Sequence, residues 1–283
     1  MTWNVVARKD FADARRSLSL WALTGLFVVF MGGMAVLYRY LPVFGPEAED
    51  ATAAGLLVFL AAPVTLFIAI AAIVIAARSI VAEVEIGSAK LLLSLPHTRR
   101  DVVVGKVLGR TGVLVVGLAV GFVATLALMI VLFDTVRLVD YALFGLTTVV
   151  FALAYVSLMV GISAGASSTA RAMAYALGAF VLLEFLWDVV PIVILFVANG
   201  FSMPAAGTQM PEWVAFLALF PPSQAFLNAL TVIVPGSISL DAVGIPNVEG
   251  AFYLSGWFSL GLLLLWGAVP LLLGYARFRR ADL

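Results

Sequence analysis

The sequence predicts an all-α, polytopic transmembrane bundle with six spans and both termini on the cytoplasmic side. Three observations predict it. Apolar residues make up 64% of the 283 residues and charged residues only 11%, whereas soluble domains carry about 25% charged residues. Six apolar runs reach the roughly 20 residues that a helix needs to cross a bilayer. Lys and Arg are confined to alternate segments between these runs, which is the asymmetry that orients membrane proteins.

The six apolar runs fill most of the chain, so a single membrane domain over residues 1–283 is the simplest organisation. The first run is too long for the apolar core of a signal peptide, and no small-x-small cleavage pattern follows it. The predicted spans are Leu18–Tyr40, Ala54–Ala77, Thr111–Phe133, Tyr141–Ser163, Ala172–Ala198 and Phe252–Tyr275.

The basic residues predict the orientation of these spans. All 16 Lys and Arg residues except Arg39 and Arg137 lie before the first run, between the second and third, between the fourth and fifth, or after the sixth. Because cytoplasmic segments are enriched in Lys and Arg, this distribution predicts an even number of spans with the N- and C-termini inside. The predicted location is the cell membrane, with the lipid bilayer as the immediate environment.

Residues 1–17 predict an amphipathic helix. Trp3, Ala7, Phe11, Ala14 and Leu18 recur at helical spacing, with most charges between them. Such a pattern is typical of a helix that lies on the inner leaflet. The alternative is a frayed cytosolic tail.

Residues 78–110 form the long cytoplasmic segment. It is too polar to span a membrane and too apolar for a solvated linker. Its Leu-rich stretch, Leu91 to Leu93, needs a covering surface, either lipid headgroups or a partner protein.

Residues 201–250 form the long outer segment, which is rich in Pro, Gly and Ser. It contains two apolar pieces, EWVAFLALF and SQAFLNALTVIV, that are too short to cross alone. They predict interfacial or re-entrant helices, whose open backbone ends need protein or water partners.

Two pairs of glycines predict close helix packing. Gly117 and Gly121, and Gly161 and Gly165, each form a GxxxG pattern inside an apolar run. Small residues at this spacing let two helix backbones approach closely in membranes.

Glu184 and Asp188 are unexpected inside the fifth apolar run. Their spacing of four puts both carboxylates on one helix face, and lipid is the worst environment for that face. One interpretation is that both residues line a transport pathway or relay protons. The other is that the helix breaks near Pro191 and both acids lie at the outer headgroup level.

The composition argues against several kinds of chemistry. The chain has no cysteine, and its single histidine, His97, cannot build a His-cluster metal site. The Gly105-Lys106 pair is no phosphate-binding loop, because Arg100 stands where the first glycine belongs and Val107 follows the lysine. We expect no catalytic residues, metal site or bound cofactor in this chain, and no nucleic-acid partner.

The segment from Arg78 to Gly109 resembles the signature stretch of ABC transporter permeases of the type-2 exporter class. That stretch combines a Glu-rich turn, a Gly-Thr or Gly-Ser pair, a Leu-rich helix, Leu-Pro-x-x-Arg and Gly-Lys. The matching residues here are Glu83, Glu85, Gly87, Ser88, Leu91, Leu92, Leu93, Leu95, Pro96, Arg99, Gly105 and Lys106. The layout of the whole chain is similar to that of the NosY-like branch of this class.

This resemblance implies that residues 78–110 form a coupling helix that docks on a separate ABC ATPase subunit. The docking residues would be Glu83, Glu85, Gly87, Ser88, Leu91, Leu92, Leu95, Pro96, Arg99 and Lys106. ATP and magnesium would be bound by that partner chain. The resemblance also implies a second permease copy, as a homodimer or heterodimer, with Glu184 and Asp188 beside a cavity between the two copies.

Two other functions stay open at this point. A proton-driven secondary transporter would use Glu184 and Asp188 as its relay, but such transporters commonly show internal repeats, and none is visible here. A non-transporting membrane scaffold is the other. The transported substrate is not readable from the residues.

Overall fold

The computed structural model describes residues 3–15, 17–41, 51–87, 98–203, 211–233 and 251–280, and all regular structure in these ranges is helical. The α-helices are α1 (Trp3–Arg15), α2 (Leu18–Tyr40), α3 (Ala53–Ala76), α4 (Val81–Glu85), α5 (Arg99–Leu132), α6 (Leu138–Gly165), α7 (Thr169–Val181), α8 (Val189–Ala198), α9 (Glu212–Ala218), α10 (Pro222–Ile233) and α11 (Gly256–Arg280). A π-helical turn, Leu182–Leu186, follows α7, and a 3₁₀ turn, Phe252–Leu254, precedes α11.

Within the described residues, six helices are long and apolar enough to cross a membrane, so the predicted number of spans is confirmed. Counting α9 and α10 together as one bent span would raise the number to seven. The compartment that each terminus occupies stays a prediction.

The third span begins earlier than its apolar run. We predicted a start at Thr111, but α5 begins at Arg99, because Thr98 and Asp101 form a reciprocal capping box. The 34 residues of α5 extend about 51 Å at 1.5 Å per residue, well beyond the roughly 30 Å hydrocarbon core. The last part of the predicted cytoplasmic segment is therefore a helical extension of the third span.

The predicted span over Ala172–Ala198 is not one continuous helix, and the interruption lies before Pro191, near which one interpretation placed a break. The backbone changes to π-helical hydrogen bonding at Leu182–Leu186, and α8 starts only at Val189. Pro191 lies in the first turn of α8, where its missing N–H has no helical partner to lose. Glu184 and Asp188 lie in this interruption, on a backbone that departs from regular α-helix.

The predicted GxxxG contact on α5 is confirmed, with α2 as the neighbouring helix. A Cβ atom built on Gly117 would lie 2.8 Å from Thr24 Oγ1, and one on Gly121 only 2.2 Å from the Phe27 ring. Since Arg39 near the end of α2 bonds Leu132 at the end of α5, the two helices run in the same direction. A side chain at either position would have to displace the side chain of Thr24 or Phe27 on α2.

The second GxxxG pair packs against α11. A Cβ on Gly161 would lie 2.4 Å from the Pro270 carbonyl oxygen, and one on Gly274 would lie 2.2 Å from the Gly161 carbonyl oxygen. Ala154 meets Gly267, and Gly165 meets Arg277, so α6 and α11 also run parallel. Backbone touches backbone here, which is the closest approach that two helices can make.

The predicted short helices of the long outer segment are present as α9 and α10, which meet at an angle of 101°. α10 is buried in the protein: Phe226 has no exposed surface and its ring lies 5.0 Å from Phe151. Asn228 donates hydrogen bonds to the Leu254 carbonyl and to Ser259 on α11. Protein contacts thus cover this helix, as its short length requires.

The basic-rich segments meet at one end of the bundle, which we call the basic end. There the start of α5 contacts α1 and the end of α11, and α4 contacts α5, α6 and the start of α7. The four segments that were predicted to share one side of the membrane do share one end of the fold.

Candidate functional site

The short helix α4, directly after the second span, is held by a hydroxyl from another span. The backbone N–H groups of Ile80 and Val81 donate to Ser163 Oγ at 3.0 and 3.2 Å. Helix N-termini leave their first N–H groups without helical partners, and here a side chain of α6 supplies one. α4 is thereby fixed to α6 at its start.

A buried ionic cluster fixes α4 to α5 and α1. Lys106 Nζ lies 2.5 Å from Glu83 Oε1 and 2.7 Å from Asp10 Oδ1. Arg110 also reaches Asp10, with Nη2 donating to Oδ1 at 3.0 Å. The Asp10 and Lys106 side chains are only 4–5% exposed. The two cations compensate the two carboxylates, and such compensation is needed because an unpaired buried charge is strongly destabilising.

Glycines on α5 make room for this cluster. A Cβ on Gly105 would lie 2.7 Å from the Val6 side chain, and one on Gly109 would lie 3.0 Å from that of Asp10. α1 therefore packs closely along the first part of α5. The helix predicted for residues 1–17 exists, and the predicted interfacial position remains to be tested.

Glu85 links α4 to the start of the fifth span. Its Oε1 accepts the backbone N–H of Thr169 at 2.9 Å. Thr169 is the first residue of α7, where Ser168 also accepts the Arg171 N–H. A carboxylate at a helix N-terminus is favoured by the exposed N–H groups and the helix dipole.

Arg99 links the start of α5 to the end of α11. Its guanidinium donates to the Phe278 carbonyl and lies over the Phe278 ring, 5.5 Å from the centroid. Phe278 is buried, with 2% of its surface exposed. A cation at a helix C-terminus satisfies carbonyl groups that have no helical partner.

The structure therefore describes both borders of the predicted coupling segment. Five of the predicted docking residues fall in the described part: Glu83, Glu85, Gly87, Arg99 and Lys106. The other five, Ser88, Leu91, Leu92, Leu95 and Pro96, lie outside the described residues. Four of the five described residues contact other helices of this chain through their side chains, and Gly87 has a φ of +77°, which glycine adopts most readily.

A second candidate site is an open groove of about 520 Å³ that both Glu184 and Asp188 line. Its other wall is α3, around Pro63, and α10 closes it with Ser223 and Gln224. Most of the remaining lining is apolar. The interrupted helix therefore presents both carboxylates to one polar patch in an otherwise apolar groove.

The two carboxylates have different surroundings. Glu184 is partly buried and accepts a hydrogen bond from the Tyr155 hydroxyl, and Ser223 lines the same groove. Tyr155 has no exposed surface. Asp188 is exposed to the groove. Glu184 is thus held in place by a buried side chain of α6, whereas the Asp188 side chain is accessible from the groove.

Aromatic residues anchor the interruption to α9. Trp187 donates from Nε1 to the Leu217 carbonyl at 2.8 Å and stacks on Phe220 with ring centroids 5.1 Å apart. Trp266 of α11 donates in turn to the Phe220 carbonyl at 2.7 Å. The turn with the two acids is therefore connected to both α9 and the last span.

The sequence reasoning missed Asp10, Arg110, Ser163 and Tyr155. Each acts on a residue in a distant part of the chain. The one signal available for Asp10 was its position, because it is a charged residue on the apolar face of the α1 pattern. The Ser163 and Tyr155 contacts left no signal, because a hydroxyl inside an apolar run is common in membrane helices.

Known proteins are similar to this chain over nearly its whole length. A family model described as "ABC-2 family transporter protein" matches residues 4–283. A "Probable ABC transporter permease protein NosY" of Pseudomonas aeruginosa is 27% identical over 300 residues, covering 100% of this chain and 99% of the relative. A protein of the same name from Stutzerimonas stutzeri is 26% identical over 303 residues, covering 98% of both chains.

Proposed function

The chain belongs to the ABC-2 family of transporter proteins and is the membrane permease subunit of an ABC transporter; from this premise we propose that ATP hydrolysis in a separate ATPase subunit drives substrate export through it. The two relatives are named as ABC permeases, which supports the proposal. ATP and magnesium would be bound by the ATPase chain, and the permease would convert closure of that partner into movement of its own helices.

The observation that carries this proposal is that the residues on either side of residues 88–97 are bonded to other helices of the bundle. On one side, Glu83 and Glu85 connect α4 to α5 and α7. On the other, Arg99 connects the start of α5 to the end of α11. A displacement of the intervening segment by a partner would therefore act on the third, fifth and sixth spans together.

The charged residues and the leucines of the coupling segment have different roles in this mechanism. Lys106 is buried beneath Glu83 and Asp10, so it positions the coupling segment rather than contacting the ATPase in this conformation. Leu91, Leu92 and Leu95 are then the residues that contact the partner. Burial of an apolar leucine against a docking surface contributes roughly 1.5–3 kcal/mol, so these three leucines would supply a substantial part of the contact.

Glu184 and Asp188 are the pathway-lining residues in this proposal. The groove that they line lies between the second span, the interrupted fifth span and the re-entrant α10. Movement of α7 through Glu85 would change the shape of this groove. A second permease copy, identical or related, would complete the pathway, and the basic end would face the cytoplasm.

The test is reconstitution of the permease with its ABC ATPase in proteoliposomes. Leu92→Asp and Leu95→Asp should abolish co-purification of the ATPase, because burying a carboxylate in an apolar contact costs several kcal/mol. Met203→Asp, which makes the same kind of change at an exposed position at the opposite end, should leave the complex intact. Transport that continues without the ATPase would instead indicate a secondary transporter. A stable complex that transports nothing under any condition would indicate a scaffold.

A further inference from the structure

A second groove opens at the basic end, beside the close contact of α6 with α11. It has a volume of about 510 Å³ and lies between the ends of α6 and α11 and the start of α7. Ile162 and Leu273 give it apolar walls, and Arg277, Arg280 and Tyr175 line it as well. Its size is in the range of sites that hold a small-molecule ligand or part of a lipid.

The groove opens to the surroundings of the bundle. Leu273 is 64% exposed and Tyr175 is 56% exposed, and both belong to helices that are long and apolar enough to cross the membrane. An exposed leucine on such a helix is available for contact with acyl chains. The adjoining tyrosine is of the type that concentrates at headgroup level.

Among the described residues, the charged side chains that line the groove are Arg277 and Arg280. In the described part of the chain, Lys106, Arg110 and Arg137 pair with aspartates, whereas no carboxylate lies within 4 Å of the Arg277 or Arg280 guanidinium. Two arginines three positions apart on a helix lie on neighbouring positions of its surface. Arginine binds phosphate through two parallel hydrogen bonds.

Arg277 is held in the groove by a close helix contact. A Cβ on Gly165 would lie 3.3 Å from Arg277 Cδ and 3.9 Å from its Nη1. The aliphatic part of Arg277 therefore lies across the glycine, and its charged end stays beside the apolar wall. A larger residue at position 165 would displace this side chain.

We propose that this groove is a binding site for an anionic phospholipid. One acyl chain lies along Ile162 and Leu273, the phosphate is bound by Arg277 and Arg280, and the Tyr175 hydroxyl is at the level of the headgroup. Basic pockets between spans at the cytoplasmic face bind anionic headgroups through the same combination of charge and apolar surface. The bound lipid would join α6, α7 and α11 at their common end.

Arg279 provides the matched control. It lies on the same last turn of α11, is exposed, and does not line the groove. Arg277, Arg279 and Arg280 each add one positive charge to the last turn of α11. Each charge has the same favourable sign for the helix dipole. A larger loss of lipid binding on replacing Arg277 or Arg280 than on replacing Arg279 is therefore due to the groove and not to the general positive charge of this end.

The experiment measures lipid binding to the purified protein by native mass spectrometry and by the shift of its unfolding temperature. Phosphatidylglycerol should bind and stabilise the wild type, and phosphatidylcholine of the same chains should not. R277Q and R280Q should each weaken phosphatidylglycerol binding roughly fivefold, and R277Q/R280Q roughly tenfold or more. R279Q, which also removes one charge, should change it less than about twofold. Inorganic phosphate should give no stabilisation, because it lacks the acyl chain.

The proposal would be overturned by equal binding of both lipids, equal losses in R279Q and R277Q/R280Q, full stabilisation by inorganic phosphate, or unchanged binding in R277Q/R280Q. If the double variant fails to fold, a phosphatidylglycerol with a photoreactive acyl chain tests the wild type directly. Cross-links at Ile162 or Leu273 support the site. Cross-links confined to other spans contradict it, as would a disulfide between two Leu273→Cys copies, which assigns the groove to a second permease.

Discussion

The ammonium group of Lys106 lies 2.7 Å from a carboxylate oxygen of Asp10, and both side chains are buried although 96 positions separate them in the chain. This contact fastens α1 to the extended start of α5. Glu83 brings α4 into the same cluster. The N-terminal helix is therefore part of the packed basic end, and its loss would disturb α4 within the coupling segment.

Replacing Lys106 with Met should destabilise the protein by about 3 kcal/mol, because removal of one member leaves Asp10 and Glu83 buried with less compensation. Arg110 remains beside Asp10, which keeps the effect at the lower end of the range for buried pairs. Unfolding by SDS in mixed micelles measures the change. Lys9→Met is the control, since Lys9 is an exposed lysine of α1 that lies next to the same cluster.

The double variant D10N/K106M separates charge compensation from packing. It should be more stable than the sum of the two single effects predicts, because the buried carboxylate of Asp10 is then removed together with the ammonium group that compensates it. Strictly additive losses would show that Asp10 and Lys106 do not interact in the membrane-embedded protein.

Gly161→Ala should destabilise the bundle by about 1–3 kcal/mol, the usual cost of overpacking, because the new methyl group would lie 2.4 Å from the Pro270 carbonyl oxygen. Gly145 of the same helix has no atom within 4 Å of an added Cβ. Gly145→Ala should therefore be neutral or stabilising by about 0.5 kcal/mol. Thermal unfolding of the two variants in one detergent checks the difference, and equal effects would disprove the close contact of α6 with α11.

Cysteine in place of Glu184 or Asp188 should react with a small aqueous thiol reagent, because both positions line the open groove. The chain has no natural cysteine, so labelling reports the introduced one alone. Trapping the ATPase with nucleotide should change the rate if the groove is the transport pathway. Leu186→Cys, on the same turn but outside the groove, should react at one rate in both states. Unchanged rates at positions 184 and 188 would leave the two acids as structural features of an interrupted helix.

Cysteine labelling in intact cells tests the orientation. Ser202→Cys lies in an exposed part of the predicted outer segment and should react with a membrane-impermeant reagent. Asp13→Cys, exposed on α1, should react only after the membrane is opened. Labelling of Asp13→Cys in sealed cells would place the basic end outside and reverse the proposed topology.

Hydrophobic pattern and glycine spacing were sufficient to predict the six spans, the two short outer helices and both close helix contacts. Apolar length determines whether a helix can cross a bilayer, and a pair such as Gly161 and Gly165 marks a face that admits another backbone. The pattern did not predict the interruption at Leu182–Leu186. Leu, Phe and Glu are all compatible with regular helix, so the local sequence offers no breaker before Pro191.

For this protein, the sequence by itself determined membrane insertion, the grouping of basic segments on one side and the family resemblance, because these depend on composition and on short motifs. Only the tertiary structure decided which residues those motifs contact. Lys106 and Glu83 belong to the same signature, yet Asp10 completes their cluster, and Glu184 depends on Tyr155 of a different span. Contacts across 29 to 96 positions arise from helix packing, and no local pattern encodes them.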